Sequence, residues 1–176
     1  MSNSNGPEPA PSEKQPTEAN LQSILAGMRR DQLAGLAAAT KAFNPFKGRL
    51  RGLGVNVVWV TFDGCGDSVN DSAARFMASA PSDLDRLSAE QYGEAESAAE
   101  EFDSSVAASL GPDDKPIREA AIELGLAATE VNWDGWWNDD GGEGEVSVDL
   151  RTGKLTLDFR YFVQSMQEAP REEYDV

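Results

Sequence analysis

The stretch EVSVDLRTGKLTLDFR, residues 145–160, contains two short runs in which apolar and polar residues alternate. Alternation with a period of two is typical of a β-strand that has one buried and one exposed face. Thr152 and Gly153, between the two runs, are of the residue types that a tight turn prefers. The sequence therefore predicts a β-hairpin whose core-facing residues are Val146, Val148, Leu150, Leu155, Leu157 and Phe159.

The alternation also restricts how the two strands pair. Each apolar residue must face another one, which requires an even loop, either 152–153 or 151–154, because an odd loop would place Asp149 on the core side. On the opposite face this register aligns Glu145 with Arg160. The predicted facing pairs are Leu150 with Leu155, Val148 with Leu157 and Val146 with Phe159.

A further strand is predicted upstream, at residues 55–62, where nearly every residue is β-branched or aromatic. Such a run is typical of a central strand that is buried on both faces. The segment that follows it, residues 71–80, is predicted to form a short helix capped by Asn70 or Asp71. A second helical tract, residues 83–110, is rich in Ala and Glu and is predicted to break near Gly93.

Two more helices are predicted on either side of these elements. The first is capped by Thr17 or Asn20 and ends before Asn44-Pro45, because the residue before a proline is disfavoured in a helix. Residues 47–52 then form a basic connector. The second begins with Pro116, which suits the first helical position, and Gly125 interrupts or closes it.

These elements predict an α+β domain with a small, mostly antiparallel sheet, made of one central strand and the C-terminal hairpin and covered by helices. The polar composition of residues 1–18 is typical of a disordered tail. Residues 19–163 are predicted to be the single domain, and residues 164–176 a flexible acidic tail. A chain of 176 residues is long enough to bury a core without metals or disulfides.

Charge is the strongest signal in the composition. The chain has 31 acidic and 15 basic residues, for a net charge of −16. This composition argues against direct binding to nucleic acid, since a binder presents a basic face to the phosphates. The exception is the segment 29–51, in which six basic residues accompany one acid, Asp31.

Other features exclude several classes of function. The chain has no histidine, which removes His-dependent catalysis and His-ligated zinc, and its one cysteine, Cys65, cannot form an intramolecular disulfide. There is neither a signal peptide nor an apolar run of the roughly 20 residues that a spanning helix requires. The sequence predicts a cytoplasmic protein with no membrane contact and no assigned cofactor or metal.

Two segments rich in glycine and acids, residues 63–71 and 136–145, each adjoin a predicted strand. Loops next to rigid strands often carry binding groups, and tryptophans beside polar residues are typical of interface hot spots. The alternative is purely structural, with Asp63-Gly64 making a turn and the tryptophans sealing the end of the sheet. The candidate binding residues are Asp63, Asp67, Ser68, Trp133, Trp136, Trp137, Asn138, Asp139, Asp140 and Glu143.

The two segments also carry a resemblance. The motifs Phe-Asp-Gly-x-Gly-Asp-Ser at 62–68 and Trp-x-Asn-x-x-Gly-Gly-x-Gly-Glu at 136–145, with Leu157-Asp158 in the second hairpin strand, resemble an uncharacterised domain family. That family occurs in plasmids, phages and integrated elements of bacteria. The resemblance covers roughly residues 54–163 and implies a mobile-element setting without a known activity.

Taken together, the charge and the tryptophans favour an acidic protein-binding module. Its expected partner is a host or competing-element protein with a basic surface, and it could inhibit a nucleic-acid-binding protein by presenting carboxylates in place of phosphates. One alternative is a metal-dependent hydrolase or phosphoryl-transfer enzyme that uses Asp63, Asp67, Asp139 and Glu143. Another is a small regulator whose segment 29–51 contacts DNA.

Overall fold

The computed structural model describes residues 18–65, 68–80, 88–132 and 141–161, and it confirms the α+β fold. Four strands form one antiparallel sheet in the order β2-β1-β3-β4. The predicted central strand, β1, therefore has a neighbour on each side. The strands are β1 Val57–Cys65, β2 Ser68–Met77, β3 Gly142–Asp149 and β4 Leu155–Tyr161.

The prediction of a helix at residues 71–80 is wrong, because most of this segment belongs to β2. Cys65 pairs with Ser68, so only two residues separate β1 from β2, and strands joined this closely form a hairpin. Ala74 and Phe76 are buried two positions apart, as a strand on the core requires. Pairing with β1 thus overrides the local preference of an alanine-containing segment for helix.

The register predicted for the C-terminal hairpin is wrong by two residues. Val146 pairs with Leu157 and Val148 with Leu155, so the same side chains still face the core. The loop is even, as predicted, but it consists of residues 150–153. Asp149 fixes this position: its backbone N–H donates to Lys154 O at 2.9 Å, and its carboxylate accepts from the N–H groups of the loop.

We expect protonation of Asp149 to weaken this hairpin. A hydrogen bond from the backbone N–H of Thr152 is the main cause that lowers the pKa of this carboxyl from 3.8. Desolvation raises the pKa, and the backbone N–H of Arg151 lowers it further. Because the pKa is lower in the folded state, the stabilisation is complete above about pH 4 and is lost as the pH falls through the folded-state pKa. Asp149→Asn should therefore be less stable than the parent at about pH 6, and the difference should shrink as the pH falls below about 4. Urea unfolding across this range checks the prediction, and a difference that does not change with pH would contradict it.

The helices are less interrupted than the sequence predicts. The first helix, α1, ends at Phe43, directly before Asn44-Pro45, as predicted. The expected connector at 47–52 is instead a short helix, because Arg49 and Leu50 are anchored against the body of the protein. The helices are α1 Glu18–Phe43, α2 Lys47–Gly52, α3 Ala89–Leu110 and α4 Asp114–Asn132.

Neither glycine that was expected to interrupt a helix does so. Gly93 lies within α3, whose first turn is stabilised by a reciprocal cap between Ser88 and Gln91, and an exposed glycine costs a helix only about 1 kcal/mol. Gly125 lies within α4 and faces the sheet. A Cβ there would lie 3.0 Å from Val60 Cγ1, so glycine allows the helix to approach the sheet closely.

The core lies between the inner face of the sheet and the helices α1, α2 and α4. Phe43, Leu50 and Ile117 come from these three helices and are fully buried. Helix α3 also adds two buried side chains to this core. It runs along the β2 edge, where Asp103 Oδ1 accepts from the backbone N–H of Phe76 at 2.7 Å. The fully buried strand residues against which the helices pack are Val58, Val60, Phe76 and Val146.

Within the described part of the chain, the outer face of the sheet is covered at one end only. Val57 and Met77 are buried there under Ala95 and Ala99 of α3. At the other end β1 and β3 run on to Gly64 and Gly142, which are direct partners. The two glycine- and acid-rich segments of the sequence therefore meet at this end of the sheet.

Candidate functional site

Outward-facing side chains form rows across the sheet. Paired residues of neighbouring strands lie side by side, and successive side chains along each strand point to opposite faces. The first row runs from β2 to β4 through Asp71, Asp63, Glu143 and Arg160. The next row, two residues further along each strand, runs through Ala73, Thr61, Glu145 and Asp158. Five of these eight residues are acidic.

A cavity of about 290 Å³ opens between these two rows. It is lined by residues of both rows and by residues adjacent to them in the sequence on β1, β2 and β3. No described residue other than Arg160 brings a positive charge to this lining. The lining residues are Thr61, Phe62, Asp63, Asp71, Ser72, Ala73, Glu143, Gly144, Glu145, Asp158 and Arg160. We call this feature the carboxylate cavity.

The carboxylates of the cavity oppose one another across the strands. Asp63, which is half-buried, faces Asp71 on one side and Glu143 on the other, and Glu145 faces Asp158. Like charges directly opposite in a sheet destabilise it. The three like-charged pairs therefore act against the stability of the fold.

Two contacts offset part of this repulsion. Arg160 Nη1 lies 3.9 Å from Glu143 Oε1, with both side chains largely exposed. Trp59 Nε1 donates to Glu145 Oε2 at 2.5 Å. Arg75, which lies over the Trp59 ring, is 2.6 Å from Glu96 of α3 and does not line the cavity. Neither contact involves Asp63 or Asp71.

The carboxylates of the cavity do not form a metal site within the described part of the chain. The oxygen ligands of one divalent cation must all lie within about 2.0–2.6 Å of the ion. The described residues contain no group of three or more Asp, Glu, Cys or His that could hold a metal ion.

The structure places three of the predicted site residues. Asp63 lies near the end of β1, and Glu143 lies beside it in β3. Ser68 begins β2, where its hydroxyl lies 3.4 Å from Asn70 Oδ1, and it does not line the cavity. The other predicted residues lie outside the described part of the chain: Asp67, Trp133, Trp136, Trp137, Asn138, Asp139 and Asp140. Two of the four carboxylates of the predicted metal enzyme, Asp63 and Glu143, are thus neighbours.

Four charged residues of the cavity were not among the predicted ones. Glu145, Asp158 and Arg160 occupy alternate positions of the hairpin, so their common face was visible in the sequence pattern. Asp71 lies in one of the two acidic segments singled out in the sequence, but it was assigned to the start of a helix, because residues 71–80 were predicted to be helical. A search for acids on the polar face of the hairpin would have found Glu145 and Asp158.

The basic segment 29–51 has a partly structural role. Arg49 Nη1 lies 2.5 Å from Asp113 Oδ2, and Nη2 donates to Leu110 O at 3.2 Å, which ties α2 to the end of α3 and to the connection between α3 and α4. The Lys47 ammonium lies 6.0 Å from the centre of the Phe43 ring. Arg29, Arg30 and Arg51 are exposed, and contact between this segment and DNA stays a prediction.

These features define an α+β domain in which the described residues leave an acidic face of the sheet open. Residues 41–172 match the model of a family described as "Family of unknown function (DUF6878)", and the chain belongs to this family. The match spans the sheet and every residue of the carboxylate cavity, whereas residues 18–40 of α1 precede it. The predicted membership of an uncharacterised domain family is confirmed.

Two further comparisons, with curated proteins and with solved structures, find no match. Among the described helices, none has both the length and the hydropathy that crossing a membrane requires.

Proposed function

We propose that this protein is an acidic binding module that receives basic side chains of a protein partner in the carboxylate cavity. The observation that carries the proposal is the convergence of five acidic residues from four strands on one open cavity. An arginine guanidinium is suited to such a lining, because it donates several hydrogen bonds in one plane and pairs with carboxylates in bidentate fashion.

The energetics of the sheet support a role in binding. Each like-charged pair across two strands costs roughly 0.2–1 kcal/mol, and acids placed elsewhere on the surface would provide solubility without this cost. A cation between Asp63 and Asp71 would turn their repulsion into attraction. The volume of about 290 Å³ lies near the lower end of the range for ligand pockets, which suits one or two side chains.

The partner in this proposal is a host or competing-element protein with a basic surface. Proteins that bind nucleic acid carry arginine and lysine rows that neutralise phosphates. A chain with a net charge of −16 attracts such a surface at long range, and the carboxylate cavity offers close contacts on arrival. The protein thereby acts as an inhibitor that occupies the partner's nucleic-acid site. Its gene belongs, in this proposal, to a mobile element, as the motif resemblance implies.

Removal of two charges tests the proposal through opposite effects on stability and binding. In the variant Asp63→Asn with Asp71→Asn, two repulsive pairs are lost, Asp63 with Asp71 and Asp63 with Glu143, and we expect the free energy of unfolding to rise by roughly 0.5–1 kcal/mol. We expect the affinity for an arginine hexapeptide to fall at least tenfold, because losing a single charge-assisted hydrogen bond costs about 1.5–3 kcal/mol. Urea unfolding and calorimetric titration measure the two quantities.

A matched control separates the cavity from the overall charge. Glu100→Gln with Glu101→Gln removes the same two charges from exposed positions of α3 and leaves the cavity intact. This control should bind the hexapeptide almost as well as the parent at about 0.15 M salt, where distant charges are screened. Equal losses of affinity in both variants would refute the cavity as the binding site.

A further inference from the structure

The N-terminal half of α1 exposes a row of large apolar side chains. Leu21 is 46% exposed, Ile24 55%, Leu25 63% and Met28 40%. Most other large apolar side chains of the described residues are buried or packed against the core. Four such residues within eight positions form a contiguous patch of the kind that marks an interaction surface.

This patch continues the face by which α1 packs on the core. Phe43 and Ala39 are buried, and Leu36 packs against them at helical spacing. Met28 lies eleven residues, or about three turns, before Ala39, and Leu25 lies eleven residues before Leu36. Leu21 is one turn before Leu25, so all of these residues lie on one side of the helix. Helix α1 has 26 residues and α4 has 19, so α4 is about 10 Å too short to cover α1 along its whole length.

The charge of residues 21–33 favours a second copy of this chain as the partner of the patch. Residues 21–33 contain Arg29, Arg30 and Asp31 and carry a net charge of +1, whereas the whole chain carries −16. Two copies of so acidic a protein repel each other over most of their surfaces. The N-terminal half of α1 is where two copies can meet with apolar contact and without opposing carboxylate clusters.

We propose that two copies of this chain associate through the apolar face of residues 21–28 of α1. A symmetric pair of identical helix faces is self-complementary, because each patch covers its equivalent in the other copy. The contact would also provide the tertiary packing that a helical segment of this length requires in water. Most of α1 precedes the family match, which begins at residue 41, so this dimer contact lies outside the matched residues that carry the cavity.

Sedimentation equilibrium of the full chain over a range of concentrations tests the proposal. We expect a monomer–dimer equilibrium that strengthens between about 0.05 and 0.5 M salt, because salt screens the repulsion between the two acidic bodies. Leu25→Gln with Met28→Gln should weaken the dimer at least tenfold without adding charge. The control Ser23→Gln with Ala34→Gln changes exposed positions on the opposite side of the helix and should leave the dimer intact.

Three outcomes would overturn the proposal. The first is a monomer at every concentration and salt. The second is a dimer that the Leu25 and Met28 changes leave unaffected. The third is a monomer whose thermal stability falls on these changes, which would show that the chain's own terminal residues cover the patch. Binding of the arginine hexapeptide should be the same in the Gln variants and the parent, so failure of the dimer leaves the carboxylate cavity as a separate question.

Discussion

Replacing Gly144 with alanine is expected to lower the free energy of unfolding by about 2 kcal/mol. Gly144 lies in β3 beneath two aromatic rings of the inner face, Phe62 and Phe159, whose centres are 6.2 Å apart. A Cβ at this position would lie 2.8 Å from Asp158 O and 2.8 Å from Phe62 Cζ. Because one of these atoms belongs to the backbone of the neighbouring strand, the contact cannot be relieved by a side-chain rotation alone.

The matched control is Gly35→Ala in α1. A Cβ at Gly35 meets no atom within 4 Å, and alanine is the better helix former by about 1 kcal/mol, so this variant should be slightly more stable than the parent. Urea unfolding of both variants makes the comparison. A Gly144→Ala protein as stable as the parent would contradict the close packing of β3 and β4 beneath the two rings.

The second large effect is expected for Arg118→Ala, which should lower the free energy of unfolding by about 2–3 kcal/mol. This guanidinium connects three elements: Nε donates to both carboxylate oxygens of Asp114 at 3.0 Å, Nη2 to Asp103 Oδ2 at 3.1 Å, and Nη1 to Ala74 O of β2. It also lies 4.4 Å from the centre of the Phe76 ring. Desolvation lowers its pKa, but hydrogen bonds with Asp114 and Asp103 outweigh this effect and raise the pKa, so it is charged at every working pH.

Lys115→Ala is the control for this change. Lys115 lies on the same helix and is paired with Glu119 at 3.6 Å, but its side chain is 85% exposed, and such pairs contribute only about 0.3–0.5 kcal/mol. A double-mutant cycle of Arg118→Ala with Asp103→Ala should show a coupling free energy of about 1 kcal/mol or more. Additive effects in this cycle would mean that Arg118 does not hold α3 against the sheet.

The sequence predicts which strand side chains face the core better than it predicts which residues pair across the strands. Alternation in the hairpin correctly places Val146 and Leu157 towards the core, because side-chain direction depends only on parity. A shift of two residues preserves parity, so the pattern cannot distinguish the predicted register from the observed one. The hydrogen bonds that Asp149 makes within its own turn decide between them.

The candidate site was predicted only in part, because the residues that meet there depend on the same cross-strand pairing. Asp63 and Glu143 were named because they adjoin strands, and the structure brings them together. Asp71 was assigned to the start of a helix, because local helix preference was considered without the short connection that returns the chain beside β1. Glu145 was aligned with Arg160 but pairs with Asp158, because cross-strand partners depend on the register. Long-range pairing, which assembles the carboxylate cavity, is therefore the part that local patterns could not predict.

An NMR titration with the arginine hexapeptide tests the central proposal most directly. Backbone amide shifts in ¹H–¹⁵N spectra report which residues the peptide contacts. If the carboxylate cavity receives basic side chains, the largest shifts should occur at Thr61, Asp63, Glu143 and Asp158, and they should disappear in the Asp63→Asn, Asp71→Asn variant. Shifts spread over the acids of α3 with none in the cavity would contradict the proposal, because they would show that the protein attracts cations through its net charge alone.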